Sequence, residues 1–436
     1  MLASHAAKGL ARWFAQSFAR SVLAALAPAL LAVAFATPPG IAQERAKLTV
    51  VFSPDLTEQI QASVERFLAT HPGVEVEVQA FQGDRAEHVL TRQAAGLPID
   101  IIEASTTISP SLIAAGISAE LGERLARDPD IHLSDFAPGA VRPFTRADGS
   151  VYALPIDLRM YVVVINLDRV DAVGLANPNA LTKSDWNWER LAEYLRLMTT
   201  YRADGGVERF GAAMRWDAPF TFTYQAGGRF VDHPTAPSES RWLTPEVVRA
   251  FEFVESLMLP NPYVRVDGNI TNHAHMQMGA TTKGASDLMT TGLRYDLIRW
   301  PTGPVNDAMV VGSTGVMLNA QSRHPETAWA LLKHLLTDEA HTLESIRNTM
   351  RPAAYLPHLH LYSPANFPEG LPPGFAMLPE FVANPNLDTA PAFDGWEEIV
   401  SRYQDAIRRD LPTGNKSPRQ ILEELDRFTR AFLPAK

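Results

Sequence analysis

The chain has no cysteine in its 436 residues, which excludes both a disulfide framework and a lipid attached to an N-terminal cysteine. It also lacks the motifs that anchor several chemistries. There is no Gly-x-Ser-x-Gly elbow, no His-Glu-x-x-His helix and no Walker loop, so hydrolase, zinc protease and nucleotide-binding readings have no starting point. Positive charge is scarce: 39 basic against 49 acidic residues leave a formal charge of −10. A polyanionic partner such as nucleic acid is therefore not expected. Beyond the first few dozen residues, no apolar run is long enough to cross a bilayer.

That first stretch is distinctive. Lys8, Arg12 and Arg20 precede an uncharged apolar run from Ser21 to Ala36, with Pro28 near its middle. The run is shorter than the roughly 20 apolar residues a membrane span needs, and it reads as a secretory signal peptide over residues 1–42. Gly40-Ile41-Ala42 places small residues before Gln43, the expected start of the mature chain, and Ala34-Phe35-Ala36 is a second candidate. Removing residues 1–42 takes away three basic and no acidic residues, which moves the formal charge from −10 to −13. The expected product is free in the periplasm, not lipid-anchored.

Apolar spacing then gives an alternating pattern. Leu48 to Phe52 reads as a strand, Glu58 to His71 as a helix stopped by Pro72-Gly73, Val74, Val76 and Val78 as a second strand, Asp84 to Ala95 as a helix and Ile99 to Ile102 as a third strand. Right-handed crossovers make this a parallel, doubly wound sheet, whose ligands sit outside the carboxyl ends of the strands. Ser53, Asp55, Glu103 and Ser105 lie there, as ligand contacts or, for Asp55 and Ser105, as caps of the helices that follow. A second αβ pattern follows Val151 to Pro155: strand Tyr161 to Asn166, helix Trp186 to Tyr201, strand Gly211 to Trp216 and helix Thr244 to Leu259. Two such halves suggest two lobes with a cleft between them. Val310 to Leu318 is a glycine-punctuated strand leading into a helix over Pro325 to Ala340, and Ser417-Pro418-Arg419-Gln420 has capping-box spacing before the last helix. Pro357 to Pro391 is proline-rich and reads as irregular chain wrapping the surface.

Several segments resemble one known family, the extracellular solute-binding proteins of family 1, the maltose-binding type that serves ATP-driven sugar importers. They are Gly149 to Asp157, with the strand Val162 to Asn166 and Asp168; Gln225-Ala226-Gly227-Gly228 with Asp232; Asn319 to Leu336; Arg351-Pro352-Ala353; and Leu411 to Leu433. The resemblance spans nearly the whole mature chain. It implies an α/β, periplasmic binding protein-like (type II) fold of two doubly wound lobes joined by a hinge, with lobe 1 over 44–154 plus 312–345 and lobe 2 over 155–311 plus 346–436. Chain crossings near Pro155, Val311 and Ser345 would form the hinge. The implied protein is no enzyme and has no cofactor. It is a monomer that closes on a small-molecule ligand, a sugar or polyol, and delivers it to inner-membrane permease subunits with a cytoplasmic ATPase. Two departures make the pocket more polar: the loop Gly312-Ser313-Thr314-Gly315 lacks the family's frequent aromatic residue, and Gln277 to Lys283 replaces its usual Phe and Ala-Met signature.

Sugar recognition needs polar groups that donate and accept in pairs, and an aromatic face for the apolar side of the ring. Matched to the family pattern, Glu103, Asp157 and Arg351 are the expected polar contacts. Trp216, Phe220 and Tyr224 are stacking candidates or core aromatics. Asp157 and Arg159 serve as ligand contacts or as a hinge ion pair, and Gly312 and Ser313 as backbone donors or a tight turn. His273 with His275, and His358 with His360, alternate as if on one strand face but lack the cysteine or carboxylate partners of a metal site, so no metal is expected. Asn269-Ile270-Thr271 is a glycosylation sequon by letter only. Two other functions compete: a periplasmic glycoside hydrolase using Glu103 and Asp157, and a ligand-sensing subunit of the same fold.

Overall fold

The structure, a computed structural model, describes residues 45–97, 99–106 and 108–434. The expected export signal and its cleavage point lie outside them. Among the described residues are twelve strands: β1 (Ala46–Phe52), β2 (Val74–Ala80), β3 (Ile101–Ser105), β4 (Leu154–Arg159), β5 (Tyr161–Asn166), β6 (Thr200–Tyr201), β7 (Val207–Met214), β8 (Val264–Val266), β9 (Ala274–Thr281), β10 (Tyr295–Ile298), β11 (Met309–Leu318) and β12 (Leu387–Thr389). They form two six-stranded sheets, ordered β12-β11-β3-β1-β2 with β4 beside β11, and β10-β5-β9-β7-β6 with β8 beside β7.

Both sheets are mixed, where the sequence suggests a wholly parallel one. β1 and β3 are parallel, as a strand-helix-strand unit requires, but β11 runs antiparallel to β3 and β4. In the second sheet β7 is parallel to β8 and β9, while β5 is antiparallel to β9 and β10. The central strands are apolar without alternation because both their faces are covered: Val50, Val51 and Phe52 in β1, and Val162 to Ile165 in β5, are fully buried. β2, at the end of its sheet, alternates half-buried valines with exposed residues.

Helix Pro54–Thr70 shows how sequence sets packing. Pro54 opens it, where the missing N–H costs nothing, and Leu56, Ile60, Val64 and Phe67 bury one face. That face meets helices Pro325–Thr337 and Glu339–Asn348. The single helix expected over Pro325 to Ala340 is broken at Asp338, whose side chain caps the second helix by accepting from the Ala340 N–H. The same carboxylate accepts from Ser63 and Arg66. At the C-terminal end, the Ser417–Gln420 capping box forms and opens helix Pro418–Arg430.

The proline-rich segment departs from expectation. Pro357, Pro373 and Pro379 sit in the first turns of short helices over Leu356–Leu361, Pro373–Met377 and Leu378–Val382, and the segment supplies β12, which pairs with β11. Phe375, Leu378, Phe381, Val382 and Leu387 are buried. The segment is part of the scaffold, not a wrapping on it.

The buried side chains fall into separate cores, and two neighbouring strands pass from one to another. In β4, Leu154 and Ile156 belong to the core beneath β1, whereas Leu158 and the following Met160 belong to the core of the second sheet. In β11, Met309, Val310 and Val311 pack in that second core, while Val316 and Leu318 pack in the first. Between these halves of β11 lies Gly312-Ser313-Thr314-Gly315, facing Pro155 to Arg159 of β4, with a register shift between Thr314 and Gly315. The small and polar residues thus stand where the strand leaves one core for the other.

Candidate ligand-binding site

A cavity of about 580 Å³ lies at this transition. Glu103, Ser105 and Thr106 approach it from the carboxyl end of β3, Arg159 from the end of β4, and Gly312, Ser313 and Thr314 from β11. Facing them are Tyr161 at the start of β5, Arg215, Trp216 and Asp217 after β7, Phe220 in helix Ala218–Gln225, and Trp300 after β10. Phe393, Trp396 and Glu397 complete the wall. Ligand sites outside the carboxyl ends of strands follow from this architecture.

The charged groups on the wall are held in place. Glu103 is buried; one of its carboxylate oxygens accepts from the Ser53 backbone N–H and from Ser53 Oγ at 2.6 Å, the other from Arg85 at 3.1 Å. Burial pushes the pKa of Glu103 up, against the pull of Ser53 and Arg85. Arg215 Nε lies 3.0 Å from Asp217 Oδ1, and its guanidinium sits 4.1 Å from the centre of the Tyr161 ring. Burial raises Asp217 to about 6, with Arg215 opposing it. Gly279, at φ +91, gives Arg215 its room: a Cβ there would stand 2.8 Å from the Arg215 Cβ. The aromatic groups fix one another, with Trp216 edge-on to Phe220 at 6.2 Å between ring centres and Trp300 Nε1 donating to the Tyr161 carbonyl.

Of the residues singled out from sequence, Glu103, Ser105, Arg159, Trp216, Phe220, Gly312 and Ser313 line this cavity. Ser53 stands behind the wall, holding Glu103. The Ser313 hydroxyl donates to the Ala140 carbonyl at 2.9 Å and so serves the scaffold. Asp157, Arg351 and Tyr224 are not on the wall. Arg351 donates to Asp55 at 2.6 Å and lies 3.5 Å from Asp157, so the ion pair at the crossing is Asp157–Arg351 instead of Asp157–Arg159. Glu103 and Asp157 consequently do not share a cavity, as the hydrolase reading would need. Tyr224 is buried, donates to the Thr389 carbonyl at 3.1 Å, and borders a separate cavity of about 280 Å³ beside Arg142, Arg229 and Asp388.

His358 and His360 do not lie on a strand. His358 is buried on a 3-10 turn and bonded to Thr342, while His360 is exposed near Glu339. His275 is buried in β9, and His273, just before that strand, accepts from the Asn269 N–H. Sequence reasoning missed Tyr161, Arg215, Trp300, Phe393 and Trp396. Arg215 adjoins the flagged Trp216 and was within reach of that signal; the other four read as ordinary core aromatics.

The model of a protein family described as bacterial extracellular solute-binding protein matches residues 53–342. The chain belongs to that family. Solved structures share the fold of this solute-binding protein at low identity. The sugar-binding protein MalE of Xanthomonas citri is 16% identical with a TM-score of 0.74, over 88% of this chain and 96% of its own. A sugar transporter of Rhizobium etli in an open conformation is 18% identical with a TM-score of 0.72, over 88% and 99%. An ABC substrate-binding protein of Listeria monocytogenes in complex with cycloalternan is 16% identical with a TM-score of 0.67, over 89% and 99%. No curated protein matches the chain. The fold is therefore that of the type II periplasmic binding proteins, and no helix among the described residues is long and apolar enough to cross a membrane.

Proposed function

We propose that this solute-binding protein captures a sugar in the 580 Å³ cavity and delivers it to the permease subunits of an ABC importer. The observation that carries this reading is the cavity's composition: six aromatic side chains and a set of anchored polar groups, drawn from both sides of the β4–β11 transition. Rings stack on the aromatic faces, while carboxylate and guanidinium groups meet the hydroxyls. The cycloalternan bound by the Listeria monocytogenes protein and the sugar-binding role of the Xanthomonas citri protein support the same choice.

The reading includes two lobes, over 44–154 plus 312–345 and over 155–311 plus 346–436, closing as a monomer on a ligand that touches both. It also includes export to the periplasm and a cytoplasmic ATPase behind the permease. Trp216, Trp300 and Trp396 border the cavity, so the test is to titrate the mature protein with mono-, di- and oligosaccharides and polyols while following tryptophan fluorescence. A saturable change with one class is the expected result. Silence across the panel rejects the sugar reading.

A further inference from the structure

Six charged side chains border the large cavity: Arg85, Arg159 and Arg215, against Glu103, Asp217 and Glu397. Two of the arginines are already matched. Arg85 lies 3.1 Å from Glu103, whose other oxygen is taken by Ser53, and Arg215 lies 3.0 Å from Asp217. Glu397 is exposed in the first turn of helix Trp396–Asp405, where the helix N-terminus itself favours a carboxylate, and no ion pair joins it to Arg159.

Arg159 is left over. It is exposed, and its side chain makes no hydrogen bond or ion pair with any described residue, although it closes a strand whose other side chains are buried. Its position is built. Arg159 is paired across the sheet with Gly312, and a Cβ at Gly312 would lie 3.2 Å from the Arg159 Cβ, so the glycine keeps the wall beside this side chain low. Arg215 approaches from the other sheet, its guanidinium 4.1 Å from the centre of the Tyr161 ring.

A ligand filling the cavity must cover this guanidinium. Hydroxyls offer dipoles against its desolvated charge, whereas a carboxylate or phosphate offers a full opposite charge and two oxygens that fit the planar fork. We propose that the ligand is an acidic saccharide, a uronate or a sugar phosphate, and that Arg159 is the residue that selects its anionic group. This rests on the sugar-binding reading of the same cavity.

The test is isothermal titration of the mature protein with matched pairs: galacturonate against galactose, glucuronate against glucose, their short oligomers, and glucose 6-phosphate as the phosphate arm. Each is run on the wild type and on Arg159→Gln and Arg159→Lys, with circular dichroism to verify folding. The acid is expected to bind about tenfold or more tighter than its neutral partner. Arg159→Gln should weaken the acid more than its neutral partner and so abolish that preference, and Arg159→Lys should restore part of it, since lysine keeps the charge but not the fork. A neutral sugar that binds as tightly as its acid, or a preference that survives in Arg159→Gln, overturns the inference and leaves the sugar reading standing. No heat from any saccharide, acidic or neutral, overturns both.

Discussion

Two titratable residues, half-buried Asp217 and buried His275, give the protein opposing responses to pH. Asp217 is raised to about 6 by burial, so from about pH 4 to 6 the folded state keeps a proton that the unfolded chain has released, and stability falls as pH rises through that window. His275 is lowered to about 4, first by burial and then by Arg209 and Arg169. Between about pH 6.5 and 4 the unfolded chain takes up a proton that folded His275 refuses, and stability falls as pH drops. Each effect is on the order of 3 kcal/mol across its window, and they largely cancel where they overlap. Denaturant melts from pH 4 to 7 should therefore be flatter for the wild type than for either variant: Asp217→Asn should lose stability on acidification, and His275→Gln should gain it. Because neither ring nitrogen of His275 has a partner among the described residues, His275→Met should also raise stability at pH 7 by about 1–2 kcal/mol. The same scale shows why site residues were only partly legible in the sequence. Glu103 is marked by its position after a strand and Trp216 by its aromatic ring ahead of the Gln225 to Gly228 loop, but Asp157 and Arg351 have the residue types of a ligand contact and pair with each other instead. Only the fold decides which partner is nearer. Arg351→Met should cost about 3 kcal/mol by leaving buried Asp157 unpaired, a loss read in thermal melts without ligand.

Elements were easier to read where local pattern and tertiary context agree. Strand β5 occupies the expected residues, Tyr161 to Asn166, and the final helix opens on its expected box. The proline-rich stretch was misread because composition reports how a chain departs from regular helices, not what it packs against. Its three-residue strand β12 has too little sequence to show a period and exists because β11 offers a free edge. The short helix Pro138–Val141 seals this arrangement through Gly139, where a Cβ would fall 2.1 Å from the Leu387 carbonyl oxygen. Backbone cannot yield as a flexible side chain can. Gly139→Ala should therefore push β12 off β11 and cost about 3 kcal/mol or more, with hydrogen exchange quickening first at residues 387–389; an unchanged melting point would mean that the contact relaxes freely.

At the scale of the whole molecule, the consequence of separate cores is that motion has few places to occur. β4 and β11 are antiparallel neighbours that both change core over the same few residues, Pro155 to Arg159 and Gly312 to Gly315. Bending there disturbs neither set of packed side chains, whereas bending elsewhere would open a core at several kcal/mol. A ligand held by Glu103 on one side and Trp216 on the other should draw the two halves together, because only the closed arrangement offers it both contacts. Two measurements on the mature protein separate this from simple docking on one face. Saturating ligand should raise stability by about 2.7 kcal/mol at a hundredfold excess over Kd, whatever the geometry of binding. X-ray scattering should show a smaller radius of gyration only if the halves approach. Trp216→Ala should weaken binding about tenfold or more by removing one of the two faces, and at the same ligand concentration it should diminish both signals together. A rise in melting temperature with an unaltered radius would place the ligand on a single half and leave the β4–β11 crossing as a rigid strut.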